Sequence, residues 1–423
     1  MNLPSNSVVV LHPAKQYVYQ VVLGLQRAGL LHRFVTGIYF KPRTFPYKLV
    51  RRLPHGPRRR IERELQKRYL KELENDRIIS IPYFEGLSRL IARILPLMTK
   101  GRSTYLFANW ASDLYASRWL ARCHPKPSLV YCFLGSALRT FQVARQMGVL
   151  TVLEVPITLN APAIVAQARR SLGMSVGYDQ LELRLRQEVL AADDVIVLSP
   201  IVAESVIMQG VPPERITVLP LGVDVTEFRP KPQGGSQENG TFRALFVGKF
   251  MVRKGVQHLL EAWRQLALPK SELWVVGPPG DMAFVERMRV QYGGRFVEVG
   301  NVPHYEIAEL YRQADVFVFP SLAEGFGMVS LEAMASGLPC VLTPQSGSML
   351  RDGIDGFIVP EGDIEALKER ILTLYQDEEL RRRMGAAARQ RAEEFTWERY
   401  QSKLVDIIYT IWNKSASHAK SHM

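Results

Sequence analysis

Short apolar runs and amphipathic stretches alternate along this chain with few interruptions. Runs rich in β-branched or aromatic residues stand at 8–11, 35–40, 78–81, 104–107, 129–133, 150–155, 195–198 and 216–219, each short enough to be a buried strand. Between most of them apolar residues recur three and four apart, as Val18, Val21, Val22 and Leu25 do within 14–29, and this spacing predicts helices there, at 136–147 and at 178–191. Strands alternating with helices imply a mostly parallel sheet covered on both faces. The rhythm breaks at Pro220-Leu221-Gly222-Val223-Asp224 and at the polar, Pro/Gly-rich stretch 229–240, and restarts with short runs at 243–247, 273–276, 296–299, 316–319, 340–343 and 357–359. The expected architecture is α/β, with one doubly wound domain over residues 1–221 and a smaller one over 222–396. A last helix is predicted at 397–412, with Tyr400, Leu404, Ile407 and Ile408 on one face, and the polar end 413–423 is expected to be disordered.

Ligands of open parallel sheets bind beyond the carboxyl ends of the strands, so two such domains facing each other define a cleft. Two turns lie at such strand ends. The run 316–319 leads into Pro320-Ser321-Leu322-Ala323-Glu324-Gly325-Phe326-Gly327-Met328, and a helical pattern starts near Gly327 and carries Glu332. Strand, glycine-bearing turn and helix start together make an anion-binding geometry, because the unpaired N–H groups of a helix start carry roughly half a positive charge. The run 243–247 leads into Gly248-Lys249-Phe250-Met251-Val252-Arg253-Lys254-Gly255, whose cations suit a phosphate group that gains charge as a bond to it breaks. A Gly-x-Gly before a helix, or a solvated basic turn, is also ordinary α/β wiring, and the local features leave both readings open.

The stretch from Glu324-Gly-Phe-Gly to Glu332-Ala-Met-Ala-Ser-Gly-Leu-Pro resembles the Glu-x7-Glu signature of the family 4 glycosyltransferases. Gly248 to Gly255 is similar to that family's Gly-Arg…Lys-Gly pattern, with Lys254 in the lysine position and Lys249 replacing the arginine, which loses the bidentate fork. The resemblance implies the GT-B fold, two Rossmann-like domains facing across a cleft, the last helix crossing back onto the first domain. It implies a retaining transfer of a hexosyl-type group from a nucleoside-diphosphate sugar to a hydroxyl acceptor, without metal or other cofactor, with cell-envelope or exopolysaccharide synthesis as the expected setting. By the same resemblance Glu324, Lys254 and Lys249 are the expected catalytic residues, with Glu324 on the donor sugar. Glu332 would bind the ribose, the backbone at Gly325, Phe326, Gly327 and Met328 would hold sugar and phosphate, and Val302 would lie at the base. The first domain departs from the pattern: the turn from His12 to Gln16 has no glycine pair and Tyr131 to Ser136 has no histidine. His12 and Glu154, both at strand ends, are the acceptor-side candidates, with His124 and His304 ranked below them.

Composition adds limits. The 423 residues, 47% apolar, suffice for more than one core. Cys123, Cys132 and Cys340 are few, odd in number and set in apolar surroundings, which suggests reduced thiols and a cytoplasmic setting. The amino end has no basic segment ahead of its apolar run, so no signal peptide is expected, and no run approaches the roughly 20 residues of a membrane span. No His/Cys spacing or Asp-x-Asp points to a metal. The net charge of +13 sits largely in residues 41–71, where twelve Lys or Arg face only Glu62 and Glu64. Three readings stay open for that segment: a solvated helix, a patch for anionic membrane in which Tyr47, Leu49, Val50, Leu53, Ile61, Leu65 and Tyr69 are apolar anchors, or a nucleic-acid surface, which no RNP, zinc or helix-turn-helix pattern supports. The expected location is the cytoplasm, with peripheral contact on the inner membrane face. Rival functions are a GT-B epimerase or phosphorylase, and a non-catalytic adaptor.

Overall fold

A computed structural model describes residues 4, 6–13, 17–41, 44–45, 47–83, 102–174, 181–231 and 240–421. Most of the loop expected at 229–240 lies outside them, as do the expected starts of the helices at 14 and 178 and the last two residues of the chain.

The apolar runs pair into two wholly parallel sheets. The first has seven strands: β1 (Val8–His12), β2 (Leu31–Thr36), β3 (Ile78–Ser80), β4 (Leu129–Phe133), β5 (Leu150–Val155), β6 (Asp194–Val197) and β7 (Ile216–Val218), in the order β3-β2-β1-β4-β5-β6-β7. The second has six: β8 (Phe242–Val247), β9 (Ser271–Val276), β10 (Val297–Gly300), β11 (Val316–Phe319), β12 (Cys340–Leu342) and β13 (Gly356–Ile358), in the order β10-β9-β8-β11-β12-β13. Central strands such as β1 and β11 are buried at every position, which is why they read as unbroken apolar runs; the edge strands β7 and β10 are partly exposed. In both sheets the order reverses beside the first strand, at β1/β4 and at β8/β11, and a crevice opens there at the carboxyl ends.

Three expectations fail locally. Residues 104–107 are not a strand but part of the helix Arg102–Leu120. A four-residue apolar run has no period of its own, and here it continues without Gly or Pro into the helix buried at Ala108, Ala111, Ala116 and Leu120. The second strand begins at Leu31 rather than at residue 35, because His32 and Arg33 interrupt the apolar signal although His32 is buried, its Nε2 3.4 Å from the Cys123 sulfur. The tail is not disordered as far as it is described: the last helix runs from Trp397 to Ser421, free of Gly and Pro, and Lys414 donates to the Glu214 carbonyl at 2.9 Å. Low hydrophobicity forbids a core but not the extension of a helix already nucleated on one.

That last helix crosses back to the first domain. Tyr400, Leu404, Ile408 and Ile411 are its buried stripe, and Gln401 accepts from Arg27 and donates to Gln20 at 2.7 Å each, both partners standing on the helix Val18–Arg27. The chain passes between domains twice, and the two passages touch: Val223 donates to the Phe395 carbonyl at 2.9 Å, and a Cβ on Gly222 would collide with the Thr396–Trp397 peptide.

Candidate functional site

β8 and β11 are neighbours, in register at Val316 with Ala244, so the turns that follow them emerge side by side. After β8 the chain makes a single 3₁₀ turn, Val252–Lys254, ended by Gly255 at φ +69°; a Cβ there would strike the Pro320 carbonyl. Arg253 and Lys254 are thereby carried onto the turn after β11. Arg253 donates from one guanidinium nitrogen to Glu324 Oε1 and to the Ala323 carbonyl, each at 2.7 Å, while Lys254 Nζ contacts Glu324 Oε2 and lies 4.8 Å from the centre of the Phe319 ring. Two cations share one carboxylate, and all three side chains are largely buried, with side-chain exposures of 22%, 13% and 12% for Arg253, Lys254 and Glu324. Burial, then the neighbouring guanidinium, pushes Lys254 well below the usual lysine range.

Of the basic residues expected here, the structure brings Lys254 to Glu324 but leaves Lys249 exposed in the preceding loop. Arg253, one of the cations of that turn but given no role by the resemblance, stands in the cluster instead. Its only signal was adjacency to Lys254.

The Glu324 turn faces the first domain. Ser199 Oγ donates to the Gly325 carbonyl at 2.5 Å, and Gly325 lies so close to the Pro156 carbonyl, just past β5, that no Cβ would fit. Arg169 pairs with Asp281 across the cleft at 2.8 Å. The helix Met328–Ala335 follows, but its first amides are not all open: Gly327 donates to the Ser346 carbonyl at 2.9 Å and Met328 to Phe326 at 3.0 Å. Phe326 is buried.

Glu332, on that helix, is buried and accepts from the Tyr311 hydroxyl at 3.0 Å. His304 Nε2 lies 3.7 Å from its other oxygen, an ion-pair rather than a hydrogen-bond distance, and His304 Nδ1 lies 3.4 Å from Glu227. Glu332 first, then Glu227, holds the His304 ring above its ordinary pKa. Tyr311 and Glu227 carry no motif, and His304 ranked low as a lone histidine. Val302 is half-buried just after β10.

In the first domain, His12 is buried at the end of β1 with its ring edge-on to Phe133 at 4.5 Å, beside a cleft also lined by Thr36, Ser112 and Ser136. Glu154 is wholly buried at the end of β5; the Tyr131 hydroxyl donates to it, and Tyr17 and Tyr400 lie at the same carboxyl. Burial raises Glu154 to about 7. The turn after β4 is filled from within: Gly135 and Ala137 amides donate to Glu188, and Arg139 and Thr140 amides to Asp113. Among the described residues no three His, Cys, Asp or Glu converge as metal ligands would.

Residues 229–391 match the model of the family described as glycosyl transferases group 1. The chain is 28% identical over 273 residues to D-inositol 3-phosphate glycosyltransferase of Corynebacterium diphtheriae, covering 59% of this chain and 64% of that protein. It is 32% identical over 202 residues to phosphatidyl-myo-inositol mannosyltransferase of Mycobacterium leprae, covering 46% and 53%. The chain thus spans less than two thirds of these relatives. Over nearly its whole length it matches solved structures in fold: Anabaena Alr3699/HepE in complex with UDP and glucose at TM-score 0.62 and 16% identity, covering 95% of this chain and 99% of that one, and TarM at TM-score 0.65 and 12% identity, covering 96% and 98%. Two parallel sheets with a helix crossing back are the GT-B fold that these structures share, and within the second domain residues 229–391 are similar to the glycosyl transferases group 1 family.

Proposed function

We propose that the protein is a glycosyltransferase that moves a sugar from a nucleoside-diphosphate sugar to a hydroxyl acceptor, with retention of configuration and without a metal. The observation that carries this is the pairing of Arg253 and Lys254 with the single carboxylate of Glu324 at the mouth of the cleft. Two buried cations on one anion leave a positive charge without a counter-ion in the cluster, and a buried charge is costly until an anion joins it. A diphosphate leaving group is such an anion, and its charge grows as the glycosidic bond breaks, so the cluster stabilises the transition state more than the bound donor. Lys254 would take the phosphate and Glu324 the sugar. Glu332, held by Tyr311, would accept from the ribose hydroxyls. Lys249, exposed in the same loop, and Val302 would close over the phosphate and base, and His12 stands on the acceptor side, whereas Glu154, expected there too, is wholly buried against Tyr131 and out of an acceptor's reach.

The nearest test is nucleotide binding. In a thermal-shift panel of UDP, GDP, ADP and their sugars, one base series should raise Tm, since a ligand at about 100 times its Kd adds about 2.7 kcal/mol of stability. No shift with any of them would sink the reading. Incubating the protein with the binding donor alone separates a transferase, which needs an acceptor, from an epimerase, which converts the donor by itself.

The same protein has a surface suited to anionic membrane. The helix His55–Gln66 has no buried residue, and Leu49, Leu53, Ile61 and Tyr69 are exposed among its cations and those around it. Tyr47 is not an anchor: it is buried edge-on against Phe40 at 5.7 Å. Lys41 also turns inward, onto the Asn75 and Ile78 carbonyls at 2.6 Å each. Cosedimentation with phosphatidylglycerol vesicles, but not with phosphatidylcholine, is the expected result. Replacing Arg59, Arg60 and Arg63 together by Gln should weaken it by about 10²-fold, at about 1 kcal/mol for each cation. Equal binding to both lipids would leave the segment as a solvated helix.

A further inference from the structure

Arg253 is fastened to the Glu324 turn from both ends. Its guanidinium donates to Glu324 Oε1 and the Ala323 carbonyl, and its own carbonyl accepts from the Leu322 amide at 2.9 Å and the Ser321 hydroxyl at 3.2 Å. Lys254 is held differently: among the described residues the polar contact of its ammonium is Glu324 Oε2, and beyond that it faces the Phe319 ring. One cation is therefore built into the turn, and the other rests on it. We propose that Arg253 is a positioning residue that keeps Glu324 neutralised and in place, so that Lys254 can exchange the carboxylate for the phosphate of an arriving ligand. This rests on the reading of the cleft as a nucleoside-diphosphate site.

The reasoning is one of competition. A lysine that was the sole partner of a buried carboxylate would be costly to pull away, because its departure would strand an anion. With Arg253 bonded to the same carboxylate and to the adjacent carbonyl, the turn keeps both its charge balance and its hydrogen bonds when Lys254 leaves. Burial and the nearby guanidinium both disfavour the Lys254 charge, and that cost is relieved when a dianion approaches. The rigid, planar guanidinium, one nitrogen of which reaches both Glu324 and the Ala323 carbonyl, suits the fixed role and the compact ammonium the mobile one.

The role separates from a merely structural one by comparing ligands and backgrounds. The probes are whichever of UDP, GDP or ADP binds the wild type, and the corresponding nucleoside, with affinities read by calorimetry. Arg253→Gln should weaken diphosphate binding by roughly 10-fold or more while changing nucleoside binding by less than about 3-fold, and Arg253→Lys should fall between, since it restores the charge without the rigid planar donor group. In a Glu324→Gln background Lys254 is already released, so adding Arg253→Gln should cost less than about 3-fold further. A full loss in that background would mean that Arg253 touches the phosphate itself and would overturn the proposal. So would equal losses for nucleoside and diphosphate, the sign of a general defect in the turn. A wild type that bound no nucleoside diphosphate would instead remove the reading of the cleft on which the proposal stands.

Discussion

Lys254→Ala is expected to lower transfer from the nucleoside-diphosphate donor by about 10²- to 10³-fold in kcat, because a cation placed where leaving-group charge develops contributes about 3 to 4 kcal/mol to the transition state. The fold should survive the change. Glu324 keeps Arg253 at 2.7 Å, so truncating the lysine strands no buried carboxylate. Truncation leaves a small gap beside Phe319, which predicts a modest fall in Tm rather than unfolding. The effect should fall on kcat more than on KM, since the lysine's partner in the ground state is in part Glu324 itself and its gain with phosphate is largest when the bond breaks. Wild-type turnover by a folded Lys254→Ala variant, measured as donor consumption with acceptor present, would remove Lys254 from the machinery.

Glu154→Gln is expected to stabilise the protein by about 3 kcal/mol at pH 8 and to change it little at pH 4. Glu154 is wholly buried, and its folded-state pKa of about 7 lies above the 4.5 of an unperturbed glutamate. The sign follows from which state sheds its proton first. Below the ordinary pKa both states are protonated and the full stability is present. Between about 4.5 and 7 the unfolded chain ionises while the folded one holds its proton, so stability falls by about 1.4 kcal/mol for each pH unit, and above 7 the loss stays constant. A glutamine cannot ionise and escapes the whole window. It can keep the hydrogen bond from Tyr131 and turn its amide toward the buried hydroxyls of Tyr17 and Tyr400, which lie near the same carboxyl. Urea denaturation of both proteins at pH 4 and pH 8 checks this. A difference that did not change with pH would show that Glu154 is not held protonated by burial.

The two sites differ in how far the sequence reveals them. Glu324, Gly325 and Glu332 are legible because a strand, a glycine turn and a helix are consecutive in the chain, and local order fixes their spacing. Lys254 is legible for the same reason after β8. Arg253 is not, because which of two adjacent cations reaches Glu324 depends on the direction each side chain takes from a 3₁₀ turn whose position is set by Gly255 against Pro320. The strand expected at 104–107 fails because four apolar residues are compatible with either periodicity, and the helix they join was decided by packing against the first sheet. Glu154 is visible as an odd carboxylate in an apolar strand. Its companions Tyr17, Tyr131 and Tyr400 come from three distant segments and cannot be gathered by reading along the chain.

What the sequence by itself determined is therefore whatever depends on neighbours along the chain: two sets of buried parallel strands, a break near residue 221, a closing helix, and two glycine-bearing turns at strand ends. What only the tertiary structure decided is how those turns meet. β8 and β11 are 72 residues apart at their paired positions but adjacent in the sheet, with Val316 paired to Ala244 and Phe317 to Leu245, and that pairing alone sets two cations on one carboxylate. The physical reason is that charge acts through space over a few ångströms, whereas sequence records only order along the backbone.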